Sequence, residues 1–217
     1  SGTKLLTFLV GADKTYEATI RLGQQTISDD SESEVISLAS PDEIAKLSDE
    51  DVAREIVKLT GVIMQTPSSV SAIKVAGKRA YDLVRAGEEF ELKAREVNIY
   101  SFEMLSVKRV SGFLDVQVRV ECSSGTYIRA LARDLGNLLG VGGHITALRR
   151  TKVGHFDVSD ANSIEELSEL RLTELATAAK QLFPVVQLTE SEVADLIHGK
   201  RISAKSEVTG LAAGLSM

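Results

Sequence analysis

The segment from Phe113 to Gly136 has the clearest order of apolar and polar positions in the chain. Its first half alternates between the two, which predicts a strand with one buried face. The apolar residues on that face are Leu114, Val116, Val118, Val120 and Cys122. Its second half repeats leucine at helical spacing, which predicts an amphipathic helix. The leucines are Leu131, Leu135, Leu138 and Leu139. A strand therefore leads through a short polar turn into a helix.

The same rules predict the remaining elements. Alternation predicts strands at Lys14–Leu22 and Arg95–Lys108, and Ser111 with Gly112 predicts a hairpin turn into the next strand. Ser48 is expected to cap a helix from Asp49 to Thr60. The other predictions are an acidic surface loop at Asp29–Pro41, a basic helix at Lys78–Ala86, helices at Ser163–Leu170 and Thr173–Phe183, and a capping box of Thr189 with Glu192.

The order of these elements predicts the fold class. Strands alternate with single helices, without the regular βαβ repeat of a doubly wound sheet. We therefore expect an α+β fold with a mixed, mainly antiparallel sheet, flanking helices and a small helical C-terminal part.

Composition limits the classes of protein to consider. The chain has 217 residues, of which 43% are hydrophobic, enough for one substantial core or two small ones. Its apolar runs fall short of the roughly 18 residues that a membrane span needs. Cys122, the single cysteine, cannot form an internal disulfide, which favours the reducing cytoplasm. The three histidines and Cys122 lack zinc-site spacing, so we expect no such metal site, with a carboxylate-bound ion left open.

The net charge of −6 hides a strong segregation of charge. Ser28–Lys58 has ten acids against three bases, and Ser159–Asp195 has eight against two. By contrast, Lys74–Arg85 has four bases against one acid, and Arg129–His155 has five Lys or Arg against one acid. Local charge decides whether a surface attracts phosphate. Two basic patches on an acidic protein are thus compatible with RNA binding, although ordinary solvated faces explain the same counts.

Arg129 stands in the first turn of the predicted helix, where a cation opposes the helix dipole. A residue placed against its local preference is a candidate for a functional role, and the alternative is a solvated arginine. Tyr16 in the first strand and Leu148 in the segment from His144 to Phe156 are, taken singly, more typical of core packing.

Three segments taken together resemble one family. They are KTYEATIRLG at 14–23, SSGTYIRALARDLG at 123–136 and ALRRTKVGHF at 147–156. The resemblance extends to TKLL at 3–6, PSSVSAIKVAGKRAYDLVRAGEEF at 67–90 and VGGHITALRR at 141–150. With these residues and in this order, the segments closely resemble those of the TruB family of bacterial tRNA pseudouridine-55 synthases.

The resemblance implies an isomerase without a cofactor. It would flip the T-loop uridine (position 55) of tRNA out of its stack, and an aspartate nucleophile would help convert it to pseudouridine. Tyr16 would stack on the uracil and relay the C5 proton, Tyr127 and Leu148 would line the base pocket, and Arg129 would hold the catalytic aspartate. The basic residues implied to face the RNA are Lys74, Lys78, Arg149 and Arg150. Physical reasoning agrees, because flipping costs a few kcal/mol that base stacking recovers.

The resemblance also implies domain boundaries. Residues 1–158 would form the catalytic domain without its N-terminal part, 159–184 a helical connection, and 185–217 the start of a PUA-like RNA-binding domain. The implied protein is a monomer in the cytoplasm, with the tRNA T-stem-loop as partner and no membrane association.

One departure from the family concerns the nucleophile. The family's Gly-Thr-Leu-Asp motif is absent from these 217 residues. Asp13 belongs to a predicted turn and Asp134 to a different helix face, so neither is expected to replace it. We therefore expect Arg129 to restrain an acid that this chain lacks, and the chain alone to be inactive. The alternatives are a non-catalytic module that binds or refolds tRNA and a guide-dependent relative.

Overall fold

The computed structural model describes residues 2–69, 74–75, 78–79, 92–165, 172–203 and 210–216. Its strands are β1 (Lys14–Leu22), β2 (Gln24–Thr26), β3 (Val35–Leu38), β4 (Gly61–Gln65), β5 (Lys74–Val75), β6 (Lys78–Arg79), β7 (Arg95–Val110), β8 (Phe113–Cys122), β9 (Gly143–Val153), β10 (Phe156–Asp157), β11 (Val185–Leu188) and β12 (Ala213–Ser216). Its α-helices are α1 (Leu6–Val10), α2 (Pro41–Lys46), α3 (Asp49–Lys58), α4 (Ile128–Leu138), α5 (Leu175–Leu182) and α6 (Glu190–Ile197), with 3₁₀ turns at Gly2–Leu5 and Val158–Asp160.

Residues 11–154 form one compact unit built on the main sheet. That sheet contains five strands of this unit in the order β9-β1-β8-β7-β4, and all of these neighbours are antiparallel. The expected α+β fold with a mainly antiparallel sheet is confirmed.

One face of the sheet carries the core. The even-numbered residues of β8 are buried there, as the alternation predicts, together with Ala18, Ile20 and Leu22 of β1. α4 covers this face with Leu131 and Leu135, which are fully buried, and α3 contributes Val52 and Ile56. The sheet thus brings the end of β8, the start of α4 and the middle of β9 into one unit.

A close backbone approach joins α4 to the start of β9. A Cβ on Gly136 would collide with the backbone of Gly142 and Gly143. The N–H groups of Val141 and Gly142 both donate to the carbonyl of Gly136, each at 3.0 Å. Only glycine allows the helix and the next strand to pack this closely.

The second compact unit contains residues 1–10 and 155–217. It includes β10 and the parallel pair β11 and β12. Thr189 and Glu192 form the expected capping box at α6, and α5 ends before Pro184 as predicted. None of the helices within the described ranges is long and apolar enough to span a membrane.

Two local predictions were wrong. The expected surface loop at Asp29–Pro41 contains β3, which pairs with β2, and Asp29 is only 3% exposed because its carbonyl pairs with β9. The expected basic helix from Lys78 begins instead with strand β6, which pairs with β5. The rest of that prediction, and residues 166–170 of the predicted helix at Ser163–Leu170, lie outside the described residues.

Candidate active site

The turn before α4 fixes the main chain of Tyr127. Gly125 has a φ of +88°, a left-handed conformation that glycine adopts without steric cost. Tyr127 then serves as the N-cap residue of α4 in an extended conformation. Its N–H donates to Oε1 of Gln65 at 2.8 Å, and its carbonyl accepts from Nε2 of Gln65 at 3.1 Å. The last residue of β4 therefore holds the residue from which α4 starts.

Arg129 lies in the first turn of α4 with its side chain 25% exposed. Its Nη1 donates to Oδ2 of Asp30 at 2.8 Å and to the carbonyl of Ser28 at 3.2 Å. Asp30 provides a negative charge where the helix dipole favours one, which offsets the unfavourable placement of the arginine. The resemblance implied an acid beside Arg129 that this chain lacks. The acid that the structure shows there is Asp30, which lies 99 residues away along the chain and was not predicted.

Asp30 is held in its ionised form. Burial by itself would raise its pKa, but hydrogen bonds from the hydroxyl of Ser28 and the backbone N–H of Glu32, together with Arg129, bring the pKa below its ordinary value. The Asp30 carboxylate thus restrains the Arg129 guanidinium at neutral pH.

Arg133, one turn further along α4, ties the helix to two loops. Its guanidinium contacts the carboxylates of Asp29 at 3.3 Å and Asp134 at 2.8 Å, and it donates to the carbonyl of Thr66 at 2.7 Å. Burial raises the pKa of Asp29, and Arg133 opposes that rise. This cluster was not predicted, because Asp29 comes from the segment expected to be a surface loop.

The turn at residues 26–30 also reaches the last strand of the unit. The carbonyl of Asp29 accepts from the N–H of Ile145 at 3.0 Å, and the carbonyl of Ile27 accepts from the hydroxyl of Ser69 at 2.9 Å. The Arg129–Asp30 pair is therefore attached to β9, the strand that carries Leu148.

Tyr16 lies on β1, in register with Val120 of β8 and Arg150 of β9. It is partly buried against the core. Burial raises the pKa of its phenol, the nearby Cys122 raises it further, and a hydrogen bond with Arg150 opposes the rise. The Tyr16 hydroxyl therefore stays protonated at neutral pH and can donate or relay a proton.

Leu148 is paired with Ala18 of β1 and is 47% exposed. It lines a cavity of about 290 Å³ on the sheet. The other residues that line it are Glu17, Ala18, Thr19, Leu105, Gln117, Val118, Ala147 and Arg149. Tyr16, Tyr127 and Arg129 are not among them. An exposed leucine beside a cavity is a plausible surface for a flat base, since such surfaces bind apolar rings.

The basic residues occupy two separate places in the unit. Arg149 and Arg150 are exposed on β9. Lys74 and Lys78 lie on the paired strands β5 and β6. Across the described ranges, no group of three or more His, Cys, Asp or Glu side chains is arranged to hold a metal ion.

The structure thus connects the predicted residues in two groups. Tyr127 and Arg129 belong to the start of α4 with Gln65 and Asp30, while Tyr16 and Leu148 lie on neighbouring strands with Arg150 and Arg149. The bond from Ile145 to Asp29 joins the two groups. This arrangement restrains the Arg129 guanidinium at the start of α4 and leaves Leu148 exposed on β9.

Comparison with solved structures shows a shared fold. A chain from the crystal structure of a Cbf5-Nop10-Gar1 complex matches with a TM-score of 0.63 at 23% identity, over 91% of this chain and 52% of that one. A chain from an H/ACA RNP bound to a substrate RNA containing 2′-deoxyuridine matches with a TM-score of 0.61 at 21% identity, over 92% and 51%.

Comparison with curated proteins gives closer relatives. The chain is 53% identical to the tRNA pseudouridine synthase B of Paenarthrobacter aurescens (strain TC1), over 93% of this chain and 65% of the relative. It is 52% identical to that of Leifsonia xyli subsp. xyli, over 93% and 67%, and 47% identical to that of Corynebacterium diphtheriae, over 94% and 69%. The chain therefore spans about two thirds of the length of these relatives.

Two family profiles match adjacent parts of the chain. The profile of the TruB family pseudouridylate synthase N-terminal domain matches residues 1–128, and that of the tRNA pseudouridylate synthase B C-terminal domain matches residues 129–194. With these matches and relatives of about 50% identity, the chain belongs to the TruB family of pseudouridylate synthases.

Proposed function

We propose that this protein is a tRNA pseudouridine synthase that isomerises the T-loop uridine (position 55) of tRNA. The observation that supports this most is the 53% identity to a tRNA pseudouridine synthase B over 93% of the chain. The proposed partner is the tRNA T-stem-loop, bound by a monomer in the cytoplasm.

The proposed reaction conserves atoms and electrons. The bond between N1 of uracil and C1′ of ribose breaks, the base turns, and a bond forms between C5 and C1′. C5 loses its proton and N1 gains one, so the product is an isomer of the substrate. No oxidant, reductant or group donor is required, and the proposal therefore includes no cofactor.

The roles of the site residues follow from their chemistry. A base must leave its stack before it can react, at a cost of a few kcal/mol. Stacking on Tyr16 and Tyr127 and contact with Leu148 would recover about 1–3 kcal/mol per stacked base. Tyr16 has a protonated hydroxyl and a hydrogen bond to Arg150, which suits a relay of the C5 proton.

Arg129 is proposed to hold the nucleophilic aspartate. A carboxylate beside apolar surfaces would tend to protonate, and an arginine within about 4–6 Å lowers its pKa by 1–3 units. The fork of donors on arginine can bind two acids at once, so Arg129 can keep Asp30 while it orients a second carboxylate.

The nucleophile itself is proposed to lie outside these residues. Asp13 accepts a hydrogen bond from the hydroxyl of Tyr100, and Asp134 is paired with Arg133. Neither is placed to attack a base beside Arg129. The domain assignment of 1–158, 159–184 and 185–217 is part of the same proposal.

The proposed RNA face consists of Lys74, Lys78, Arg149 and Arg150. The exposed positions of Arg149 and Arg150 on β9, next to Leu148, support this role. Phosphates would meet these side chains while the base enters the site, since RNA loops are bound through shape and backbone.

A second candidate is a non-catalytic module that binds or refolds tRNA, favoured by the absence of a Gly-Thr-Leu-Asp motif from the 217 residues. A guide-dependent relative is a third, for which the shared fold with a chain of the Cbf5-Nop10-Gar1 complex is the supporting observation.

Release of tritium from tRNA labelled at C5 of its uridines distinguishes these candidates. The product of the complete reading frame is expected to release the label from the T-loop uridine, and the 217-residue chain to bind the T-stem-loop RNA without release. Binding without release by both proteins would favour the non-catalytic module. Release only with an added guide RNA would favour the third candidate.

A further inference from the structure

Gln65 is a buried polar residue whose described side-chain hydrogen bonds reach Tyr127. It is the last residue of β4 and is 2% exposed. A buried amide destabilises a protein unless it is hydrogen-bonded. Among the described contacts, its Oε1 and Nε2 each bond to the main chain of Tyr127. An apolar side chain would fill this place in the core more simply.

The two bonds fix the orientation of the Tyr127 main chain as well as its distance from the Gln65 side chain. Gln65 exchanges them with the N–H and C=O of one residue, as two residues of an antiparallel sheet do. Tyr127 makes no capping hydrogen bond with its own side chain. The direction in which its Cα–Cβ bond leaves the chain is therefore set by a residue 62 positions away.

Neighbouring contacts of the same turn do not depend on Gln65. Arg133 binds the carbonyl of Thr66, and the hydroxyl of Ser123 accepts the N–H of Asn98 at 2.9 Å. Removing either of these loosens the turn or the adjoining segment but leaves both bonds to Tyr127. This gives matched controls.

We propose that Gln65 is a positioning residue that directs the ring of Tyr127 toward the flipped uracil. The inference rests on the proposed function, in which Tyr127 lines the base pocket. The amide acts through the main chain of Tyr127 and does not touch the substrate.

The first test is ¹⁹F NMR of the chain with 3-fluorotyrosine at its tyrosines, the Tyr127 signal being assigned by Tyr127→Phe. Gln65→Ala is expected to shift or broaden the Tyr127 signal more than those of Tyr16 and Tyr100, and Ser123→Ala to leave the Tyr127 signal in place. Gln65→Met keeps the side-chain length but can make neither hydrogen bond, so it replaces Gln65→Ala if that variant fails to fold. A Tyr127 signal that stays in place in a folded Gln65 variant overturns the proposal.

The second test measures binding of a T-stem-loop RNA with uridine or an abasic site at the target position. The wild-type chain is expected to prefer uridine by about tenfold, the ratio given by 1.4 kcal/mol of stacking. Gln65→Ala is expected to reduce that preference to about threefold or less, and Ser123→Ala to preserve it. A wild-type chain without preference overturns the proposed function and this inference with it. A preference that Gln65→Ala retains in full overturns this inference alone.

Discussion

At the scale of single residues, Arg129 shows that a residue in an unfavourable local position can indicate a contact with a distant part of the chain. A cation in the first turn of a helix is destabilising by itself, and the structure offsets it with Asp30 and the carbonyl of Ser28. The sequence could indicate that Arg129 has a charged partner. It could not identify Asp30, because the pairing depends on a turn that brings distant residues together.

Under the proposed function, Arg129→Ala in the product of the complete reading frame is expected to lower turnover by about 10²-fold or more, with little change in tRNA affinity, because the proposed nucleophile would lose its restraint. Single-turnover rates and filter binding measure the two effects separately. Arg129→Lys, which keeps the charge but loses the planar fork, is expected to lower turnover as well. A loss of affinity with unchanged turnover would mean that Arg129 is only a phosphate contact.

At the scale of elements, local sequence rules held where neighbours in the chain decide the structure. Ser48 and Thr189 cap their helices with full capping boxes, and β1 matches the predicted Lys14–Leu22. The rules failed for β3 and β6, two short strands that exist because of pairing with β2 and β5. Whether a short strand forms depends on the strand that it pairs with, and the propensities of its own residues do not specify that partner.

The cap of α3 is expected to weaken in acid. Hydrogen bonds from Ser48 and Arg54 lower the pKa of Asp51 to about 2 from an ordinary value of 3.8. Because the folded-state pKa is the lower one, this stabilisation is present above pH 3.8 and is lost as the pH falls through about 2.

The check is the thermal midpoint of wild type and Asp51→Asn at pH 5 and pH 2. The wild type should be the more stable at pH 5, and the difference should shrink at pH 2. A difference of equal size at both pH values would contradict an ionised cap.

The junction of α4 with β9 is expected to tolerate no side chain at Gly136. A methyl group there would meet the backbone of Gly142 and Gly143, and overpacking of this kind typically destabilises by about 1–3 kcal/mol. Gly11→Ala is the control, since a Cβ at Gly11 meets open space and surface changes stay within about 0.5 kcal/mol. Urea denaturation measures both, and equal free energies of unfolding would contradict the close approach.

At the scale of the whole molecule, the distribution of charge matters more than its sum. The net charge is −6, yet Arg149 and Arg150 are exposed beside the proposed base pocket. An acidic remainder would limit non-specific binding while a basic strand binds phosphate locally.

Binding of tRNA is expected to weaken steeply with salt, because each neutralised phosphate releases counterions. Replacing Arg149 or Arg150 with glutamine should lower the slope of log affinity against log salt by about one. Lys58→Gln on α3 is the control and should leave the slope unchanged. If the tRNA affinity of the wild-type protein did not change with salt, the basic stretches would not be part of the RNA interface.

The sequence alone determined the long alternating strands, the capped helices and the family resemblance, because these follow from local periodicity and from motifs within single segments. Only the tertiary structure decided that Asp30 pairs with Arg129, that Gln65 holds Tyr127 and that Asp29 is buried. These contacts join residues 62 to 104 positions apart. The sheet and the packing of α4 against β9 decide which residues meet in these contacts. A pattern within one segment of the sequence cannot show which distant residues will meet.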